Sequence, residues 1–246
     1  MTVTILTLFP DFFTSPFSTG VIAGAKERDL LHMNIVNLRD YSADAKHHKC
    51  DDYPYGGGPG MVMSVEPFMR YYEVHPKQPK EHTVLLAPSG AVMTQPVVKR
   101  LSGYERLTLI AGHYEGVDGR VETLYADETL SIGDYVLSGG EPAAMVVIDA
   151  LVRYFGVLGN DASVPSDTFE AGLDGLLEYE QYTRPPDAAG HMVNAGLRGG
   201  DHRVIERWRR QRSVLRTFRY RSDLLAQAKL DADDVRTIFD YLIDKE

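Results

Sequence analysis

Over its first two-thirds the chain alternates short apolar runs with stretches whose apolar residues recur at helical spacing. The runs at 2–9, 33–37, 83–86, 107–110 and 129–131 predict strands. The stretches 21–28, 65–74, 95–102, 117–125 and 142–154 predict helices. Such alternation reads as α/β: a mostly parallel sheet with helices on its faces. Ligands of such sheets sit beyond the carboxyl ends of the strands. The loops at 87–91, 111–116 and 131–140 each follow a predicted strand.

The pattern changes near Gly156. Residues 160–168 are polar and read as a linker, taken here as 160–174 between a first domain at 1–159 and a second at 175–246. From Gly175 onward a helical pattern is expected. Gly199-Gly200-Asp201 stops what precedes it, and Asp201 is placed to cap a helix over 202–220. Val204, Trp208 and Leu215 would share one face of that helix. Two last helices are expected at 224–228 and 233–242, with Asp231 or Asp233 capping the second.

Three glycine-rich stretches punctuate the first domain. They are Pro54-Tyr55-Gly56-Gly57-Gly58-Pro59-Gly60-Met61, then Ala111-Gly112-His113-Tyr114-Glu115-Gly116, then Ser131-Ile132-Gly133-Asp134-Tyr135-Val136-Leu137-Ser138-Gly139-Gly140-Glu141-Pro142. Glycine costs backbone entropy and packs poorly, so three such loops point to bare backbone approaching a ligand. They lack Gly-x-Gly-x-x-Gly after the first strand and Gly-Lys-Ser/Thr, which disfavours dinucleotide and P-loop sites. Ser89 and Ser138 lack the Gly-x-Ser-x-Gly of a hydrolase elbow.

Composition narrows the classes further. The single cysteine, Cys50, excludes an intramolecular disulfide and a four-cysteine zinc site, and points to a reducing, cytoplasmic location. His47-His48 is adjacent rather than spaced for one helix face and reads as loop, so no metal ligands are assigned. The N-terminus reads as a buried strand rather than a signal peptide, and Asp149 and Arg153 interrupt the most apolar run, so no membrane partner is expected. Net charge is −9, yet between positions 203 and 221 eight arginines face one acid, Glu206. A basic stripe on an acidic body marks a polyanion partner, and arginine favours bidentate phosphate contacts.

Several ordered strings resemble one family. Leu8-Phe9-Pro10, Arg39-Asp40, Asp51-Asp52-Tyr53-Pro54-Tyr55-Gly56-Gly57-Gly58-Pro59-Gly60-Met61, Gly112 to Asp118, Ser131 to Glu141, Tyr182-Thr183-Arg184-Pro185 and Arg207-Trp208-Arg209 are similar to the bacterial tRNA (guanine-N1)-methyltransferases. That resemblance implies a SPOUT-type parallel sheet with a deep trefoil knot, which no sequence reading would propose unaided. It adds a small C-terminal helical domain that binds the tRNA anticodon stem-loop, and a homodimer with shared active sites. The implied reaction transfers a methyl from S-adenosyl-L-methionine to N1 of the guanosine 3′ to the anticodon; the family also suggests magnesium.

The resemblance implies a donor site built from Leu86, Ala87, Pro88, Ser89, Gly112, Tyr114, Glu115, Gly116, Ser131, Ile132, Gly133, Tyr135, Leu137, Gly139 and Gly140. It places a general base at Asp167, needed because guanine N1 is protonated at neutral pH. It places Arg153 against the charge that builds on O6. Asp51, Tyr55, Gly58 and Gly60 would hold the guanine, and Arg184, His202, Arg207 and Arg210 the rest of the tRNA. Two positions depart from the family: His113 and Tyr53 stand where arginines are usual. A SPOUT enzyme acting on ribose 2′-hydroxyls and a non-catalytic RNA-binding protein are the competing readings.

Overall fold

The computed structural model describes residues 1–157 and 167–243, so positions 160–166 of the expected linker lie outside the described residues. The chain divides into two compact units, Met1–Gly159 and Asn160–Glu246.

In the first unit the order is β1 (Thr2–Thr7), α1 (Gly20–Glu27), β2 (His32–Asn37), β3 (Asp51–Asp52), β4 (Val62–Met63), α2 (Glu66–Val74), β5 (Glu81–Val92), α3 (Gln95–Leu101), β6 (Arg106–Ala111), α4 (Gly119–Tyr125), β7 (Glu128–Ser131) and α5 (Glu141–Val152). Five strands form a parallel sheet in the order β2-β1-β6-β5-β7. Alternate residues face opposite sides, as the pleat requires. Val3 and Ile5, Val84 and Leu86, and Leu107 and Leu109 join the core under α1, α3 and α5. Leu6, Leu85 and Ile110 join the core under α2 and α4. Proline in the first turn starts α2, α3 and α5, where its missing N–H costs nothing. Asp118 caps α4 through a 2.9 Å bond from the Arg120 amide.

β5 is longer than the apolar run predicted. After Leu86 the chain bulges outward and then returns to the same neighbour: Leu130 of β7 pairs with Leu86 and again with Ala91. The expected loop at 87–91 is therefore a bulge within one strand.

The second unit holds a short hairpin, β8 (Asp187–Ala188) and β9 (His191–Met192), then α6 (Ala195–Arg198), α7 (His202–Tyr220) and α8 (Ala232–Ile243). The expected helical pattern from Gly175 is corrected: beyond a 3-10 turn at Ala171–Leu173, regular helix begins only at α6. Prolines 185 and 186 favour extended chain, and Ala189 and Gly190, both at positive φ, turn the hairpin. A 3-10 turn, Ser222–Ala226, stands where a helix was expected at 224–228. Asp201 caps α7, accepting 2.9 Å from the Arg203 amide. Asp231 caps α8 reciprocally: its carboxylate accepts from the Asp234 amide at 2.8 Å, while Asp234 accepts from the Asp231 amide at 3.1 Å. The buried face of α7 is Ser213, Val214 and Thr217, while Val204 is exposed. Val204, Trp208 and Leu215 do fall along one side of this continuous helix, with Trp208 and Leu215 half-buried. Small polar residues let the chain approach the buried side, where the Thr217 hydroxyl accepts from the Leu177 amide at 2.9 Å.

Candidate functional site

Beyond the carboxyl ends of β5, β6 and β7 three segments converge. The first is the bulge in β5, which carries Ala87, Pro88 and Ser89 outward. Gly90 closes it, and a Cβ there would lie 2.5 Å from the backbone of Thr129 and Leu130, so the bulge can fold against β7 only around a glycine. The second is the turn after β6. It is stitched to the glycine-rich loop preceding β4, with the Glu115 amide donating to the Met61 carbonyl at 3.0 Å and the Met63 amide to the Gly116 carbonyl at 2.9 Å. Tyr114 takes a left-handed backbone, φ 61°, a strained choice typical of ligand sites.

The third segment runs from β7 to α5. Its end is tied to the second by a 2.6 Å bond from the Gly140 amide to the Gly112 carbonyl. A Cβ on Gly140 would meet the Ala111 Cα and Gly112 N at 2.8 Å, so this closeness also requires glycine. Between the tied ends Val136 stands 85% exposed.

These segments enclose a cavity of about 490 Å³. Every residue expected to contact the methyl donor lines it, from Leu86 to Ser89, from Gly112 to Gly116 and from Ser131 to Gly140. So does Val136, and so do residues not assigned to the donor from sequence, among them Glu122, Ser138 and Ala143. Beneath the Gly139–Gly140 turn lies another omission. Glu141, 3% exposed, accepts a 2.7 Å bond from the Thr7 hydroxyl at the end of β1. His113 Nδ1 stands 3.8 Å from its other oxygen, and the His113 ring packs 4.7 Å from Phe9. His113 is thus held inside the wall, its side chain mostly buried. Glu141 sits in the first turn of α5, where the helix dipole favours a carboxylate.

The guanine-holding candidates lie on the stitched loop. Asp51, half-buried, pairs through β3 with Met63 of β4. Tyr55 is fully exposed, and Gly58 and Gly60 have positive φ. Gly60 packs directly against the Glu115 side chain, which leaves no room for a Cβ. Arg153 opens the 3-10 turn after α5, half-buried and outside the cavity lining. Asp167, half-buried, belongs to the second unit, where its carbonyl accepts from the Glu170 amide at 3.1 Å.

The basic stripe is less uniform than its sequence. Arg210, expected to hold tRNA, is instead engaged within its own unit: its guanidinium donates to Asp234 at 2.7 Å, to Asp174 at 3.0 Å and to the Lys229 carbonyl at 2.7 Å. Arg212 and Arg216 both pair with Glu180, and Arg221 with Asp223. The Arg212 hydrogen bond holds the Glu180 carboxyl below the usual carboxylate range. Arg207, His202 and Arg184 are exposed. The positive surface is therefore concentrated at Arg203, Arg207, Arg209 and Arg219, which form no ion pair with an acid among the described residues.

Comparison with known proteins places this geometry. The family model described as "tRNA (Guanine-1)-methyltransferase TrmD" matches residues 1–227. A protein of Carboxydothermus hydrogenoformans named tRNA (guanine-N(1)-)-methyltransferase is 46% identical over 226 residues, 92% of this chain and 87% of its own. Proteins of the same name from Geobacter metallireducens and Levilactobacillus brevis are 45% and 43% identical, over 98% and 100% of this chain and 96% and 98% of theirs.

Proposed function

Because the chain belongs to the tRNA (guanine-1)-methyltransferase family, we propose that its 490 Å³ cavity holds S-adenosylmethionine and its second unit grips tRNA. The protein is a tRNA (guanine-N1)-methyltransferase. The observation that carries the donor assignment is the convergence of three strand-end segments on one cavity of the size small-molecule sites have, roughly 300–1,000 Å³. The finer reading is a SPOUT knot through these segments, in a cytoplasmic homodimer with shared active sites. Dimerisation would bury exposed apolar side chains such as Val21 of α1 and Val146 of α5, two helices that pack together.

The donor supplies a methyl group on a cationic sulfur. Backbone groups of 86–89, 131–133 and 135–137 read its adenine edge, and Glu115 at the cavity wall favours its positive charge by Coulomb attraction in a partly dry site. Gly139 and Gly140 let its amino-acid part approach the backbone. Guanine N1 must lose a proton to become a nucleophile, and the Asp167 carboxylate takes it. The charge left on O6 meets the Arg153 guanidinium. Asp51 accepts from the guanine's Watson–Crick edge, and Tyr55, Gly58 and Gly60 shape the pocket around it. Arg184, His202 and Arg207 contact the anticodon stem-loop; Arg210 supports them by fixing α7 on α8. Among the described residues no three His, Cys, Asp or Glu side chains converge on a metal position.

Asp167→Asn tests the base: donor binding by calorimetry is retained and single-turnover methyl transfer to unmodified tRNA falls by at least about 100-fold. Unchanged transfer would place the base elsewhere.

A further inference from the structure

The second unit carries a wider groove than the donor cavity, about 1000 Å³, between the segment 179–186 and α7. Its lining is aromatic and cationic. Trp208 meets Tyr182 at a centroid distance of 5.9 Å and 63°, and Tyr179 at 6.5 Å and 70°. Both tyrosine rings are steeply inclined to the indole, and neither is stacked parallel to it. A closed aromatic core is the plain alternative, but Tyr182 remains 52% exposed and Trp208 only half-buried, beside an open groove. Arg184, Arg198 and Arg209 stand in the same lining, and the Arg209 guanidinium lies 4.8 Å above the Tyr179 ring. The lining's one acid, Glu180, is already neutralised by Arg212 and Arg216. On a chain of net charge −9, this combination selects a ligand that is both planar and anionic.

We propose that this groove is a base-stacking subsite for one unpaired, splayed nucleotide of the RNA substrate. The base lies against Trp208 and Tyr182, and its flanking phosphates meet Arg184, Arg198 and Arg209. The inference rests on the tRNA-methyltransferase reading and adds to it a second point of grip, distinct from the guanine that is methylated. Stacking on an aromatic face tolerates every base, so the subsite fixes the position of the loop rather than its sequence.

Trp208 is the chain's single tryptophan, so its emission reports this groove alone. The full-length protein is titrated with unmodified tRNA while anisotropy of labelled tRNA follows binding. Trp208 emission should be quenched along the same saturation curve, and short unstructured oligoadenylate and oligouridylate should quench it at higher concentration. Trp208→Leu should weaken tRNA binding by about ten-fold or more and Trp208→Phe by much less, with donor affinity unchanged in both. The unmodified protein's quenching gives the answer even if a variant folds poorly. Full tRNA binding with unchanged emission, or a folded Trp208→Leu protein binding like the parent, overturns the subsite and leaves the methyltransferase reading intact. Loss of tRNA binding by the parent protein would overturn both.

Discussion

Replacing Gly140 by alanine isolates the contact that joins two walls of the 490 Å³ cavity. Its φ is −82°, which alanine adopts freely, so the perturbation is steric alone. The added methyl would sit 2.8 Å from the Ala111 Cα and Gly112 N and 3.1 Å from the Ala111 carbonyl carbon. Restoring a contact of about 3.5 Å requires a displacement of about 0.7 Å between the end of β6 and the start of α5. All three neighbours are backbone, so no side chain can rotate away. The same movement stretches the 2.6 Å bond from the Gly140 amide to the Gly112 carbonyl. Overpacking of this kind costs roughly 1–3 kcal/mol, and a weakened hydrogen bond adds about 1 kcal/mol. For a chain of this size that lowers the melting temperature by roughly 4–16 °C. Donor affinity should fall at least about ten-fold, because the cavity walls part by a large fraction of an atomic radius. Thermal unfolding and calorimetric titration with S-adenosylmethionine measure both. Gly119→Ala is the control: nothing lies within 4 Å of its Cβ position, and at the start of α4 alanine should leave both measurements unchanged or raise the melting temperature slightly. If Gly140→Ala behaves like Gly119→Ala, the argument from close backbone approach is wrong.

Other substitutions separate fold from binding. Thr7→Val removes the hydroxyl that Glu141 accepts from and leaves a buried carboxylate oxygen short of a partner; stability should drop by roughly 1–3 kcal/mol in denaturant titration, with donor affinity reduced as the Gly139–Gly140 turn shifts. Arg210→Ala should destabilise by roughly 1–3 kcal/mol, less than a fully buried pair would, because Arg210 is 31% exposed while its partner Asp234 is 3% exposed. Arg207→Ala should leave the melting temperature alone but weaken tRNA binding and reduce its salt slope by about one unit. Acid stability tests Glu180: its folded carboxyl titrates below the usual range because Arg212 donates to it, so the stabilisation is full above about pH 4.3 and is lost as pH falls through the depressed value. Between about pH 6 and pH 3 the parent should lose more stability than Glu180→Gln, and equal losses would show the pair contributes nothing.

The first unit was legible because each element carries its own signal. β1, β6 and α5 fall within two residues of where the apolar period put them, and glycine marks the loops that line the cavity. What the sequence hid is long-range. Nothing local ties Thr7 to Glu141, which lie 134 residues apart, and no motif marks Gly90 as the point where β5 folds back on β7. Arg210 illustrates the opposite error. In sequence it is one arginine of eight, and only the folding of α8 brings Asp234 beneath it. Charge counted along a chain overstates a basic surface whenever acids distant in sequence neutralise it, as Asp174, Asp234 and Glu180 do here. The segment 175–194 misled for a related reason. Leu177, Tyr179 and Tyr182 meet α7 from extended chain and positions 181–192 are exposed, so helical spacing had no meaning there.

The central claim is that this chain places a methyl on guanine N1 of tRNA from a donor held between the β5, β6 and β7 ends. Nucleoside analysis of unmodified tRNA, incubated with the protein and methyl-labelled S-adenosylmethionine, tests it most directly. The account predicts label on 1-methylguanosine at the position 3′ to the anticodon, and none when that guanosine is replaced by adenosine. Label on a ribose 2′-oxygen, or no label while the donor binds, would contradict it.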